Sequence, residues 1–192
     1  MRIRSTHSLV PAGLAAALLL AGAATASAQQ VVPLSELPRF EQDRVMLENQ
    51  SRLMDSDRLY REGKTYVEGG EWKKAASRFE RAARLRGDGD MKTATLYRKA
   101  ADAYFLAGKQ RRAVSNFERA ASYAMGFGDI DLAADSYLKA ALLSHQSGQV
   151  LRANENGWKA HRLSGSSALS SRIRTAIRQH LTVGDGQVAL GG

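Results

Sequence analysis

Apolar residues recur along this chain at helical spacing, and the spacing itself recurs. One stretch holds Leu59, Gly63 and Tyr66, then Gly70, Ala75, Phe79 and Ala82. A second holds Tyr97, Ala101 and Tyr104, then Gly108, Ala113, Phe117 and Ala120. A third holds Tyr137, Ala141 and Ser144, then Gly148, Ala153, Gly157 and Ala160. Internal spacing is identical, and the offsets are 38 residues (Leu59 to Tyr97) and 40 residues (Tyr97 to Tyr137). Steps of three and four put side chains on one helix face, and the glycine midway through each stretch marks a turn between two helices. A fixed period in this range predicts stacked units, each unable to bury its apolar face alone.

The predicted pairs are helices over 56–68 and 72–85, 91–107 and 110–124, and 130–147 and 150–163. Between pairs, Gly87-Asp88-Gly89-Asp90 and Gly126-Phe127-Gly128-Asp129 turn the chain, and Asp90 and Asp129 are placed to cap the helix that follows. Upstream, Pro38 suits a first helical turn. Phe40, Val45, Met46, Leu47, Leu53 and Met54 follow on a helical stripe and predict an N-terminal helix packed on the first pair. No Gly or Pro separates it from Leu59, so its continuity with the first pair stays open. Downstream, Leu169, Ile173, Ile177 and Leu181 predict an amphipathic helix over 168–183 that closes the stack, with a tail at 184–192.

These positions resemble the tetratricopeptide repeat family. Its pattern sets a large, a small and an aromatic residue on a first helix, then small, aromatic and small residues on a second. Leu59, Gly63, Tyr66, Ala75, Phe79 and Ala82 follow it, as do Tyr97, Ala101, Tyr104, Ala113, Phe117 and Ala120. In the third unit Ser144 and Gly157 stand where aromatics belong, and Trp158 is the neighbour expected to fill the space. The period exceeds the family's usual length, and the proline that often ends its second helix is missing. The resemblance implies an all-α fold, a short α-solenoid of about three helix-turn-helix repeats over 56–163 with flanking helices at 29–55 and 164–183.

Composition adds a setting. Arg2 and Arg4, an apolar run from Leu9 to Ala24 and the small residues Ala26-Ser27-Ala28 read as a signal peptide over 1–28, cut before Gln29. The expected location is therefore periplasmic or secreted. The chain has no cysteine, so stability has to come from packing, and thiol chemistry is excluded. The formal net charge is +9, which in an exported protein favours acidic protein segments, anionic lipid or acidic polymer over nucleic acid.

In the resembling family, ligands lie along the first helices of the repeats. Matched position by position, that surface comprises Tyr60, Lys64 and Val67, then Arg98, Lys99, Asp102 and Phe105, then Leu138, Lys139, Leu142 and His145. The mixture of basic and apolar side chains suits an acidic or amphipathic peptide. A second basic surface lies on the second helices, with Lys73, Lys74, Arg78, Arg81, Arg84, Arg111, Arg112 and Arg119. It offers the alternative of a protein resting on anionic lipid or cell-wall polymer. There is no phosphate-binding glycine loop or nucleophile elbow, and His145, His161 and His180 have no partner at metal-ligand spacing. The expectation is a non-enzymatic interaction scaffold or assembly adaptor of the bacterial envelope, without cofactor or metal.

Overall fold

The computed structural model describes residues 33, 35, 37–87, 89–165, 171 and 174–176. The chain divides into two compact units, 1–38 and 39–192, and every described helix belongs to the second. The expected signal peptide, the tail and most of the expected helix over 168–183 lie outside the described residues. No strand occurs among those described. Among the described residues six long α-helices follow one another: α1 Arg39–Glu68, α2 Trp72–Arg86, α3 Lys92–Leu106, α4 Gln110–Gly126, α5 Ile130–Gln146 and α6 Val150–Ser164. Each packs on the one before it and the one after it.

Four of the five turns are built alike. After α1, the Gly70 N–H reaches the Val67 carbonyl at 3.0 Å and the Glu71 N–H reaches the Tyr66 carbonyl at 2.8 Å. The same pair of bonds recurs at Gly108 and Lys109, at Gly128 and Asp129, and at Gly148 and Gln149. This closure satisfies two orphan carbonyls and needs a left-handed residue, which glycine adopts at no steric cost; φ is 71° at Gly70 and 69° at Gly108. Asp129 caps α5, its carboxylate accepting the Leu132 N–H at 3.0 Å. Asp90 accepts the Lys92 N–H at 2.8 Å from one residue further out.

The core is a seam of small residues filled by a few rings. Ala75, Ala82, Ala101, Ala113, Ala120, Ala141, Ala153 and Ala160 are all buried, and Phe79, Tyr104 and Phe117 occupy the space between helices. A fully buried aromatic side chain of this size stabilises by roughly 1.5–3 kcal/mol. Ser56 is buried at the α1–α2 contact and returns its hydroxyl to the Ala82 carbonyl at 2.9 Å.

The sequence left continuity open, and two expectations are corrected. The N-terminal helix is continuous with the first one, α1 running unbroken for 30 residues. Its stripe does not pack on the first pair, because α1 is about 45 Å long and α2, of 15 residues, only about 22 Å. Phe40, Met46, Leu47, Leu53 and Met54 are consequently exposed. Trp158 does not fill the space beside Gly157: it is 53 % exposed, while Gly157 is buried. Successive helical residues point about 100° apart, so a neighbour in sequence cannot occupy the same contact. Arg162 lies over the Trp158 ring instead, 5.4 Å from its centre.

Candidate binding groove

The open surface beside α1 and α3 follows from their burial patterns. In α3, Thr93, Leu96, Tyr97, Ala100, Ala101 and Tyr104 turn inward. That leaves Thr95, Arg98, Lys99, Asp102, Phe105 and Leu106 on the outer face. In α1, Leu59 and Gly63 face the core while Tyr60, Lys64 and Val67 lie on the edge nearer α3.

Tyr60 is the centre of this surface. Its ring tilts against buried Phe79 at 5.9 Å, and Lys99 Nζ stands 6.0 Å from the ring centre. Tyr60 and Lys99 form a wall shared by two recesses. One, of about 330 Å³, runs toward Lys64, Val67, Trp72, Asp102 and Leu106. The other, of about 270 Å³, runs toward Asp57, Arg86, Lys92, Thr95 and Leu96. No carboxylate among the described residues forms an ion pair with Lys64, Lys92 or Lys99. Arg86 is pinned between Asp57 and Asp90. Burial alone would lower the Arg86 pKa, but those two carboxylates outweigh it and hold it above the ordinary value.

The structure brings five of the sequence-predicted residues, Tyr60, Lys64, Val67, Lys99 and Asp102, into one recess. Arg98 and Lys139 have other partners. Arg98 Nη2 meets Asp135 Oδ2 at 3.0 Å, and Lys139 Nζ sits 3.6 Å from Asp135 and 3.5 Å from Asp102. These contacts tie α3 to α5 and neutralise two cations that the sequence offered to a ligand. Phe105 is 46 % exposed and His145 is exposed, while Leu142 is half-buried against the Tyr137–Leu138 cluster. Leu138 is corrected from a surface residue to a core residue: it is buried with Ala121, Ala134, Tyr137 and Ala160. Sequence reasoning missed Asp135, although its step of four to Lys139 was visible. It also missed Trp72 and Leu106, whose place in the recess depends on how α2 and α3 meet α1.

The second basic surface is largely engaged. Arg78 pairs with Glu62 at 2.7 Å, Lys74 pairs with Glu71, and both lie over the Tyr66 ring. Glu80 receives Arg84 at 2.5 Å, Arg119 at 3.4 Å and the Tyr104 hydroxyl at 2.8 Å. Arg112 donates to the Tyr104 oxygen at 3.3 Å. One helix pair further on, Glu118 receives Arg152 through two bonds of 2.7 and 2.6 Å, and Asn156 at 2.7 Å. Burial pushes both glutamates up, but these donors outweigh it and hold each below the ordinary carboxylate value. Of the nine basic residues on α2 and α4, only Lys73, Arg81 and Arg111 have no such partner among the described residues.

Among the described residues, no group of three His, Asp or Glu side chains is placed to hold a metal ion. None of their helices is long and apolar enough to cross a membrane. No protein-family model matches the chain, and no curated protein is significantly similar to it.

Proposed function

We propose that this chain is a tetratricopeptide-type α-solenoid of three helix pairs with flanking helices. It acts as a non-catalytic scaffold or assembly adaptor of the bacterial envelope after export. Its ligand is an acidic, partly apolar protein segment, held in the groove between α1 and α3. The repeated turn closure and the buried small-residue seam support the repeat reading.

One observation carries the binding reading: Lys99 stands over Tyr60, with Lys64 lining the same recess, and neither cation has a carboxylate partner among the described residues. An apolar floor of Tyr60, Val67 and Leu106 would take a hydrophobic side chain while the two ammonium groups meet carboxylates. This groove lies nearer α1 than the broad surface implied by sequence, because Arg98 and Lys139 are already held by Asp135, and Lys139 by Asp102 as well.

The test is capture from envelope extract at low and high salt, with the retained protein identified and its binding segment synthesised. Tyr60→Ala combined with Lys64→Ala and Lys99→Ala should weaken binding of that segment by tenfold or more. Lys73→Ala with Arg81→Ala and Arg111→Ala should leave it unchanged. The reverse pattern, with binding abolished by salt, would place the activity on the α2–α4 surface and on anionic lipid or polymer.

A further inference from the structure

Lys99 stands between two recesses that differ in charge. The one that runs toward Leu106 sets Lys64 and Lys99 against Glu68 and Asp102, a balance of zero over an apolar floor. The other sets Arg86, Lys92 and Lys99 against Asp57, a balance of +2. It is still +1 with Asp90 counted, whose carboxylate accepts Arg86 and the Lys92 backbone N–H. Arg86 is held by its two carboxylates, which leaves Lys92 and Lys99 to meet a ligand. We infer, on the strength of the groove proposed above, that the two recesses divide the bound segment. An acidic side chain enters the Lys92 recess, an apolar one enters the Leu106 recess, and the two stand three residues apart in an extended chain.

The spacing follows from α3. Lys92, Thr95, Leu96 and Lys99 line the first recess, and Lys99, Asp102, Ala103 and Leu106 line the second. One row of positions is thus used twice, seven residues apart, and the recess centres lie about 10.5 Å apart along the helix. The first row has a lysine at each end, while the second has Lys99 at one end and Leu106 at the other. Lys92 and Leu106 are therefore the residues that make one recess suit an acid and the other an apolar side chain. In polyproline-type backbone three residues advance about 9.3 Å and return to the same side, so side chains three apart reach both recesses. A helical ligand would need positions seven apart. Its diameter of about 10–12 Å is also too wide to enter where the Tyr60 ring centre and Lys99 Nζ stand 6.0 Å apart.

The probes are end-blocked, serine-rich peptides carrying one Glu and one Leu at separations of one to seven residues. They are titrated into the isotope-labelled full chain and followed by amide chemical shifts. A separation of three should bind at least about threefold tighter than any other. Lys92→Gln should weaken that peptide about threefold and Lys92→Glu about tenfold, the scale of losing and then reversing one exposed ion pair. Neither should affect the peptide with Gln in place of Glu, and Lys92→Glu should prefer the one with Lys there. Leu106→Ser should weaken the Leu peptide and leave its Ser counterpart unchanged. Lys73→Glu, an equal change of charge on α2, should have no effect. Binding that falls in the Tyr60→Ala, Lys64→Ala, Lys99→Ala triple variant yet ignores Lys92 and the separation keeps the groove and overturns the division. So does a preference for a separation of seven. No binding by any peptide, or binding indifferent to the triple variant, overturns the groove and the division with it.

Discussion

A Cβ on Gly63 would lie 2.6 Å from Cε1 of Phe79 and 2.8 Å from its Cδ1. The glycine is thus the point where α1 and the ring of α2 come closest, and the repeat spacing places alanine at the matching positions Ala101 and Ala141. Gly63→Ala gains about 1 kcal/mol in helix propensity but forces a buried ring to move, at about 1–3 kcal/mol. The expected result is a net loss of about 1 kcal/mol by urea denaturation. A stabilised variant would show that Phe79 has room to yield.

Phe117 and Trp158 are expected to behave as opposites. Phe117 is 2 % exposed, and Phe117→Ala should cost about 3–5 kcal/mol through lost burial and a cavity. Trp158 is half exposed, with Arg162 over its ring, so Trp158→Ala should cost less than about 1 kcal/mol. Melting of the two variants side by side decides this. Comparable losses would return Trp158 to the core.

Acid should weaken the packing of α2, α4 and α6. Glu80 and Glu118 are buried enough to be pushed up, yet Tyr104, Arg84 and Arg119 on the one, and Arg152 and Asn156 on the other, hold them below the ordinary value. The folded state therefore binds their protons less readily than the unfolded chain does. Their contribution is fully present above about pH 5 and is lost as pH falls through the ordinary glutamate value of about 4.3 and below. Denaturation at pH 7 and pH 4 should show wild type losing more stability than Glu118→Gln, whose amide cannot titrate. Parallel losses in the two proteins would refute the assignment.

Asp135 restrains Arg98 and Lys139. In Asp135→Asn the Arg98 cation is released beside the groove, while Lys139 keeps Asp102 at 3.5 Å. Affinity for the acidic segment should rise by up to about fivefold at low salt, the scale of one partly exposed ion pair, and the gain should vanish in high salt. Fluorescence anisotropy with the synthetic segment measures it. Unchanged or weaker binding would mean that Arg98 does not border the ligand.

The six helices lie within one or two residues of the limits the spacing predicts, apart from the start of α1. Periodicity and glycine position are local signals, and both survived folding intact. The candidate site was legible only in part. Tyr60, Lys64 and Lys99, matched to ligand positions through the family resemblance, line one recess. Leu138 was misplaced because α5 is covered on more of its surface than α1 or α3, with Ala134, Tyr137 and Leu138 all buried. That coverage depends on the neighbours α5 acquires, which no local pattern encodes.

The sequence alone determined where helices begin and turn and which small residues let them approach, since hydrogen bonding along the chain and the 3.6-residue period are properties of neighbours in sequence. The tertiary structure decided which charges are free. Lys99 and Lys139 are both lysines on outer helix faces, yet only Lys139 meets carboxylates, one from α5 and one from α3. It likewise decided that the apolar row Phe40, Leu47, Met54 faces outward, because α2 ends before it can cover the first half of α1.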